Sequence, residues 1–125
     1  MKKLSSTYII AEIGGNHNGS FKQASKMVSQ LARSSVDAIK FQLGDPEKIY
    51  SKNSILPEYQ KKNNNNGSLS IIEQASNRSL SREEHLQLFK LCNKHGCDYL
   101  CSAFDLDSLV FLDKKIDIKY FNIIY

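Results

Sequence analysis

A chain of 125 residues, 41% hydrophobic and with a formal net charge of +4, is long enough for one small domain with a core, and this composition excludes a disordered protein. No apolar run approaches the roughly 18 to 20 residues that span a bilayer. The apolar stretch after residues 1–7 is too short for a secretory signal, so a cytoplasmic location without a membrane partner is expected. The cations are scattered among acids and form no stripe interleaved with aromatics, which argues against nucleic acid and remains compatible with an anionic small substrate. Cys92, Cys97 and Cys101 cannot all pair within one chain, and their spacing matches neither a zinc knuckle nor a secreted disulfide framework. They read as reduced, packed thiols rather than as zinc ligands with His85 and His95.

The first predicted element is an apolar strand over residues 8–13 that carries Glu12 and breaks into the loop Gly14-Gly15-Asn16-His17-Asn18-Gly19. A buried carboxylate is costly unless paired or used, so Glu12 marks either a working strand end or a solvated one. The glycines let the chain turn sharply and pass close to a ligand. Ser20 is placed to cap a helix reaching residue 34, with Phe21, Ala24, Met27, Val28, Leu31 and Ala32 forming its apolar face. A second strand over 37–43 alternates, with Ala38, Lys40 and Gln42 on one side and Ile39, Phe41 and Leu43 on the other.

Periodicity is then lost over residues 44–79. The composition predicts a long polar loop with short helical turns at 57–62 and 71–75, and a solvated asparagine run at 63–66. Ser81 and Glu84 form a capping box for a helix whose apolar face is Leu86, Leu88, Phe89, Leu91 and Cys92, with Gly96 as its stop and His85 expected at the surface. A third strand over 97–102 leads to Asp105, a candidate cap for a helix over 106–115 built on Leu106, Leu109, Val110 and Leu112. A fourth strand is expected over 118–124.

Strands alternating with helices imply a parallel sheet, either doubly wound or a (β/α)8 barrel. The loop after the first strand lacks the glycine spacing of a dinucleotide site. Polar groups sit late in three successive strands: Glu12, then Lys40 with Gln42, then Ser102. Convergence at the carboxyl ends of strands favours the barrel.

Three segments carry a resemblance: AEIGGNHNG at 11–19, DAIKFQ at 37–42 and LSREEHLQLFKLCNKHGCDYLCSAFD at 80–105. In this order they resemble the sialic acid synthases and their pseudaminic and legionaminic acid synthase relatives. The resemblance implies a (β/α)8 TIM-type barrel that condenses phosphoenolpyruvate with an N-acetylated, N-acetylmannosamine-like amino sugar, giving a nonulosonic acid and phosphate. It makes Lys40 the lysine that holds phosphoenolpyruvate and Glu12 the active-site glutamate. Gln42 would contact the sugar or pyruvyl group, and Ser102 stands where the family commonly has a threonine. Asn16 and His17 fall at the rim or just behind it.

The resemblance also implies a divalent metal, typically Mn2+, whose histidine ligands belong to later strands, and a homo-oligomer. Ser35-Val36 replaces a usual Gly-Ala, Ala103 a usual proline, and Asn122 and Tyr125 stand at the family's lysine and serine positions. About four of the roughly eight strands of such a barrel are accounted for. Residues 1–125 thus read as an amino-terminal half barrel, without the remaining strands or the antifreeze-like domain that normally follows, and inactive alone. Two other readings stand beside it: a non-catalytic remnant that associates through open sheet edges, and another phosphoenolpyruvate-condensing barrel synthase.

Overall fold

The structure, a computed structural model, describes residues 7–51 and 70–122. Its centre is a parallel sheet in the order β1-β2-β3, formed by β1 (Ile10–Glu12), β2 (Ala38–Leu43) and β3 (Asp98–Ala103). Glu12 pairs in register with Lys40, and Gln42 with Ser102, so the polar residues of all three strands reach the same, carboxyl end.

Between β1 and β2 runs α1 (Phe21–Leu31), extended by a 3-10 turn at Ala32–Ser34. Ser20 caps it as expected, accepting the Gln23 amide, and Ala24 and Val28 are its buried stripe. The turn ends at Ser35 in the left-handed region, φ 58° and ψ 33°. A glycine adopts that conformation without strain and a serine does not, which gives the Ser35 departure a physical cost.

The segment read as a loop holds two helices among its described residues, α2 (Pro46–Ile49) and α3 (Ile71–Asn77). The turn expected at 71–75 is therefore a helix, opened by a capping box of Ser70 and Glu73. The short α2 was not anticipated, although Asp45 followed by Pro46 supplies a cap and a first-turn proline. The turn at 57–62 and the asparagine run lie outside the described residues.

Helix α4 (Arg82–His95) has the predicted capping box at Ser81 and Glu84 and ends at Gly96 with φ 76°. It packs on α1 and on β3. His85 is not at the surface: it is buried on the same stripe as Leu88 and Cys92, three and seven residues on. Its Nδ1 meets the Tyr99 hydroxyl at 2.6 Å, which satisfies both polar groups inside an aromatic cluster where Phe41 stacks on Tyr99 with ring centroids 5.4 Å apart. The core around this cluster is built from Ile39, Phe41, Leu88, Cys92 and Leu112.

After β3, Asp105 caps α5 (Leu106–Lys115) through the Ser108 amide. The phase of α5 differs from expectation. Ser108, Leu112 and the following Ile116, spaced by fours, face inward, which leaves Leu106, Leu109 and Val110 exposed. The fourth strand is not formed among the described residues. Among these residues one parallel bridge forms, Ser102 with Asn122, and Tyr125 lies outside them.

Candidate functional site

Four sequence-predicted residues converge at the carboxyl end of the sheet. In-register pairing of β1 and β2 sets Glu12 beside Lys40, and their side chains form an ion pair at 2.6 Å. Because β2 alternates, Gln42 lies on the same face as Lys40, and its Nε2 donates to Glu12 Oε1 at 3.3 Å. The pair stays open to solvent, with 23% of the Lys40 and 43% of the Glu12 side chain accessible. An ion pair this accessible adds little stability, which leaves its charges available to a ligand.

Ser102, opposite Gln42 on β3, is buried, and its Oγ accepts from Asn122 Nδ2 at 2.6 Å. Asn122 thus holds the serine in place with an amide.

The loop after β1 is fixed from two sides. His17 is buried and its Nδ1 accepts the Gly19 amide at 3.1 Å, which assigns the ring proton to Nε2, with the Gly14 carbonyl nearby. Burial holds the His17 pKa below the ordinary imidazole value, against the pull of Glu84. At Gly19, with φ +74°, a Cβ would stand 2.2 Å from the Asn77 carbonyl oxygen, so the loop lies flush against the end of α3. His17 acts here as a loop staple. Asn16 is exposed and contributes its backbone carbonyl to Gln23 Nε2.

Beside this cluster lies a cavity of about 290 Å³ that shares Gly14 and Gln42 with it and is closed by Tyr50 after α2 and by Gln74 and Arg78 of the α3 region. The sequence reading missed this wall because the 44–79 segment lacks long-range periodicity. Its local signal was the Ser70–Glu73 capping box, the same pattern that located α4. Near the junction of β2 and α5, Asp105 Oδ2 accepts the Asp45 amide at 2.7 Å and the Ser108 hydroxyl at 2.7 Å, tying the strand end to the helix start.

The three cysteines are free and buried. Burial pushes the Cys101 thiol up to about 12 and raises the Cys92 thiol as well, so neither is a nucleophile at neutral pH. Among the described residues no three His, Cys, Asp or Glu side chains converge as a metal site, and no helix is long and apolar enough to cross a membrane.

A parallel sheet flanked by helices, with an acid, a cation, an amide and a hydroxyl at the carboxyl ends of its strands, defines an α/β fold of the kind that carries enzyme sites at that end. The comparisons are specific about which kind. The NeuB family profile matches residues 27–124, and the chain belongs to this sialic acid synthase family.

It is 37% identical over 105 residues to N,N'-diacetyllegionaminic acid synthase of Legionella pneumophila, covering 84% of this chain and 29% of that protein. It is 32% identical over 111 residues to N-acetylneuraminate-9-phosphate synthase of Drosophila melanogaster, covering 89% of this chain and 29% of that one. Among solved structures, N-acetylneuraminic acid synthetase from Leptospira borgpetersenii, in complex with citrate, superposes with a TM-score of 0.71 at 24% identity, over 95% of this chain and 39% of that one. That likeness establishes the shared fold. The chain spans less than a third of the length of these two curated relatives.

Proposed function

We propose that this chain forms the phosphoenolpyruvate-binding part of a nonulosonic acid synthase, which condenses phosphoenolpyruvate with an N-acetylated amino sugar and releases phosphate. The observation that carries the reading is the Glu12–Lys40–Gln42 cluster at the carboxyl end of a parallel sheet, in a member of the NeuB family. In this reading the Lys40 ammonium binds the phosphate or carboxylate of phosphoenolpyruvate. Glu12 holds the ammonium in position before the ligand arrives and then orients the sugar carbonyl or relays a proton.

Gln42, steadied by Glu12, keeps a second N–H and its carbonyl for the sugar or the pyruvyl group. Ser102, whose oxygen already accepts from Asn122, keeps its own proton to donate to a phosphoenolpyruvate oxygen. The methylene carbon of phosphoenolpyruvate attacks the sugar aldehyde, water adds to the resulting cation, and phosphate leaves by carbon–oxygen cleavage.

An Mn2+ ion, where the complete enzyme holds one, would supply Lewis-acid chemistry. The described residues do not assemble a site for it. A completed (β/α)8 barrel, a cytoplasmic setting where phosphoenolpyruvate is made, and a homo-oligomer belong to the same reading. The exposed Leu106, Leu109 and Val110 on α5 support assembly.

Titration calorimetry of the chain with phosphoenolpyruvate tests the reading, followed by a phosphate-release assay with N-acetylmannosamine-like sugars with and without manganese. Lys40→Gln is expected to weaken phosphoenolpyruvate binding by at least about tenfold, the loss of one charge-assisted contact. A wild-type chain that does not bind phosphoenolpyruvate at millimolar concentration overturns it.

A further inference from the structure

We propose that Asp105 is a positioning residue for the phosphoenolpyruvate site: its carboxylate ties the loop after β2 to the start of α5, and so fixes the strand ends that present Gln42 and Ser102. The inference rests on the function proposed above, which assigns both of these residues to the ligand.

Gln42 and Ser102 are partners across β2 and β3, and the backbone pairing ends just beyond them, where the Phe104 amide donates to the Leu43 carbonyl at 2.9 Å. From there the chain leaves β2 for the loop before α2, and leaves β3 for α5. Asp105 bridges the two exits. Its Oδ1 accepts the Ser108 amide at 2.8 Å, while Oδ2 accepts the Ser108 hydroxyl at 2.7 Å and, from the other exit, the Asp45 amide at 2.7 Å. Asp45 follows Gln42, and Asp105 follows Ser102, by the same three positions.

The bridge is packed as well as bonded. At Gly44 a Cβ would stand 2.8 Å from Phe104 Cβ, so the loop after β2 lies directly against the residue before Asp105. Asp45 caps α2 through the Glu47 amide at 3.0 Å, which passes the constraint on to that helix. A helix cap needs one side-chain oxygen, so the bond from the second oxygen of Asp105 to the other loop is more than capping calls for. Burial works against the charge of Asp105, and hydrogen bonds from Ser108 and Asp45 outweigh that cost, so its pKa lies below the ordinary aspartate value. A ligand binds more tightly to strand ends already held in place, because ordering loops and side chains on binding costs affinity.

Asp105→Asn isolates the bridge. Asparagine caps helices about as well as aspartate, and its one carbonyl oxygen serves the Ser108 amide without also serving the Asp45 amide. Calorimetric titration of the 125-residue chain is expected to show phosphoenolpyruvate binding roughly five- to tenfold weaker in this variant, with wild-type helix content by circular dichroism. Ser108→Ala removes the other donor at Oδ2 and keeps the bridge, so it should bind within about twofold of wild type. In the ligand-free chain, the Gln42 side-chain amide signals in a proton–nitrogen correlation spectrum should move in Asp105→Asn and stay in Ser108→Ala. Should Asp105→Asn fail to fold, Asp45→Pro breaks the same contact from the loop side and should weaken binding alike, since proline has no N–H to donate and the φ of −86° there is near its range.

The sign of the change separates positioning from charge. Asp105→Asn removes a negative charge from the same end of the sheet, which by charge alone leaves an anion bound as before or more tightly. Unchanged or tighter binding in that variant overturns the proposal. So does an equal loss in Ser108→Ala, which assigns the effect to the start of α5, or a lowered melting temperature in Asp105→Asn with affinity intact. A wild-type chain that binds no phosphoenolpyruvate removes the function proposed above and this inference with it, whereas wild-type binding that survives in Asp105→Asn removes this inference alone.

Discussion

Along β2, Ile39, Phe41 and Leu43 are buried, whereas Lys40 is partly open to solvent and Gln42 is exposed, although all five residues belong to one strand. On the first face the side chains meet Tyr99 and the helix layer around Leu88, where packing removes apolar area from water. On the second they meet Glu12 and one another through charge and hydrogen bonds at a solvated rim. The difference teaches that stability and ligand chemistry are separated in this protein by the two-residue period of a strand. Substitutions one position apart should therefore have unlike consequences.

The largest expected effect is on the packed face. Phe41→Ala, at a fully buried position, should cost about 3 to 5 kcal/mol in urea unfolding. A cost below about 1 kcal/mol would show that the aromatic cluster is not the core and would break the contrast.

The next concerns His85 in the same cluster. Burial depresses its pKa from 6.5 to about 4, with nearby His17 acting in the same direction. Between those values the unfolded chain binds a proton that the folded chain refuses. Stability is therefore fully present above pH 6.5 and falls as pH is lowered toward 4, by up to about 3 kcal/mol from this group. Unfolding midpoints measured from pH 7 to pH 4 should show this slope, and His85→Phe should flatten it. An unchanged slope in the variant would assign the acid sensitivity to other groups.

A smaller effect, of opposite sign, lies away from both faces. Ser35→Gly relieves a left-handed residue and should stabilise by about 1 kcal/mol in the same unfolding assay. The smallest stability change belongs to the ligand face. Lys40→Gln should alter unfolding by less than about 1 kcal/mol while phosphoenolpyruvate affinity falls, because a solvent-open ion pair contributes little to folding. If that variant were instead as unstable as Phe41→Ala, the separation of the two faces would be lost.

Much of this arrangement was legible in the residues themselves. The alternation of β2, the Ser20, Ser81 and Asp105 caps and the Gly96 stop are local rules, satisfied by neighbours a few positions apart, and each is observed. The convergence of Glu12, Lys40, Gln42 and Ser102 was legible because parallel pairing aligns strand ends once the strand order is known. His85 was misjudged because a polar residue on an apolar stripe is ambiguous until its partner is known, and that partner, Tyr99, comes from the next strand.

The sequence by itself determined the α/β order, the strand faces and the family, because these rest on short-range periodicity and on motifs that occupy contiguous positions. Only the tertiary structure decided which polar groups are satisfied by distant partners. His85 is buried against Tyr99, Ser102 is held by Asn122, and Arg78 is brought from an aperiodic segment to the wall of the cavity beside Gln42. The physical reason is that burial and pairing are properties of the packed chain, set by contacts between residues far apart in sequence, which no local pattern encodes.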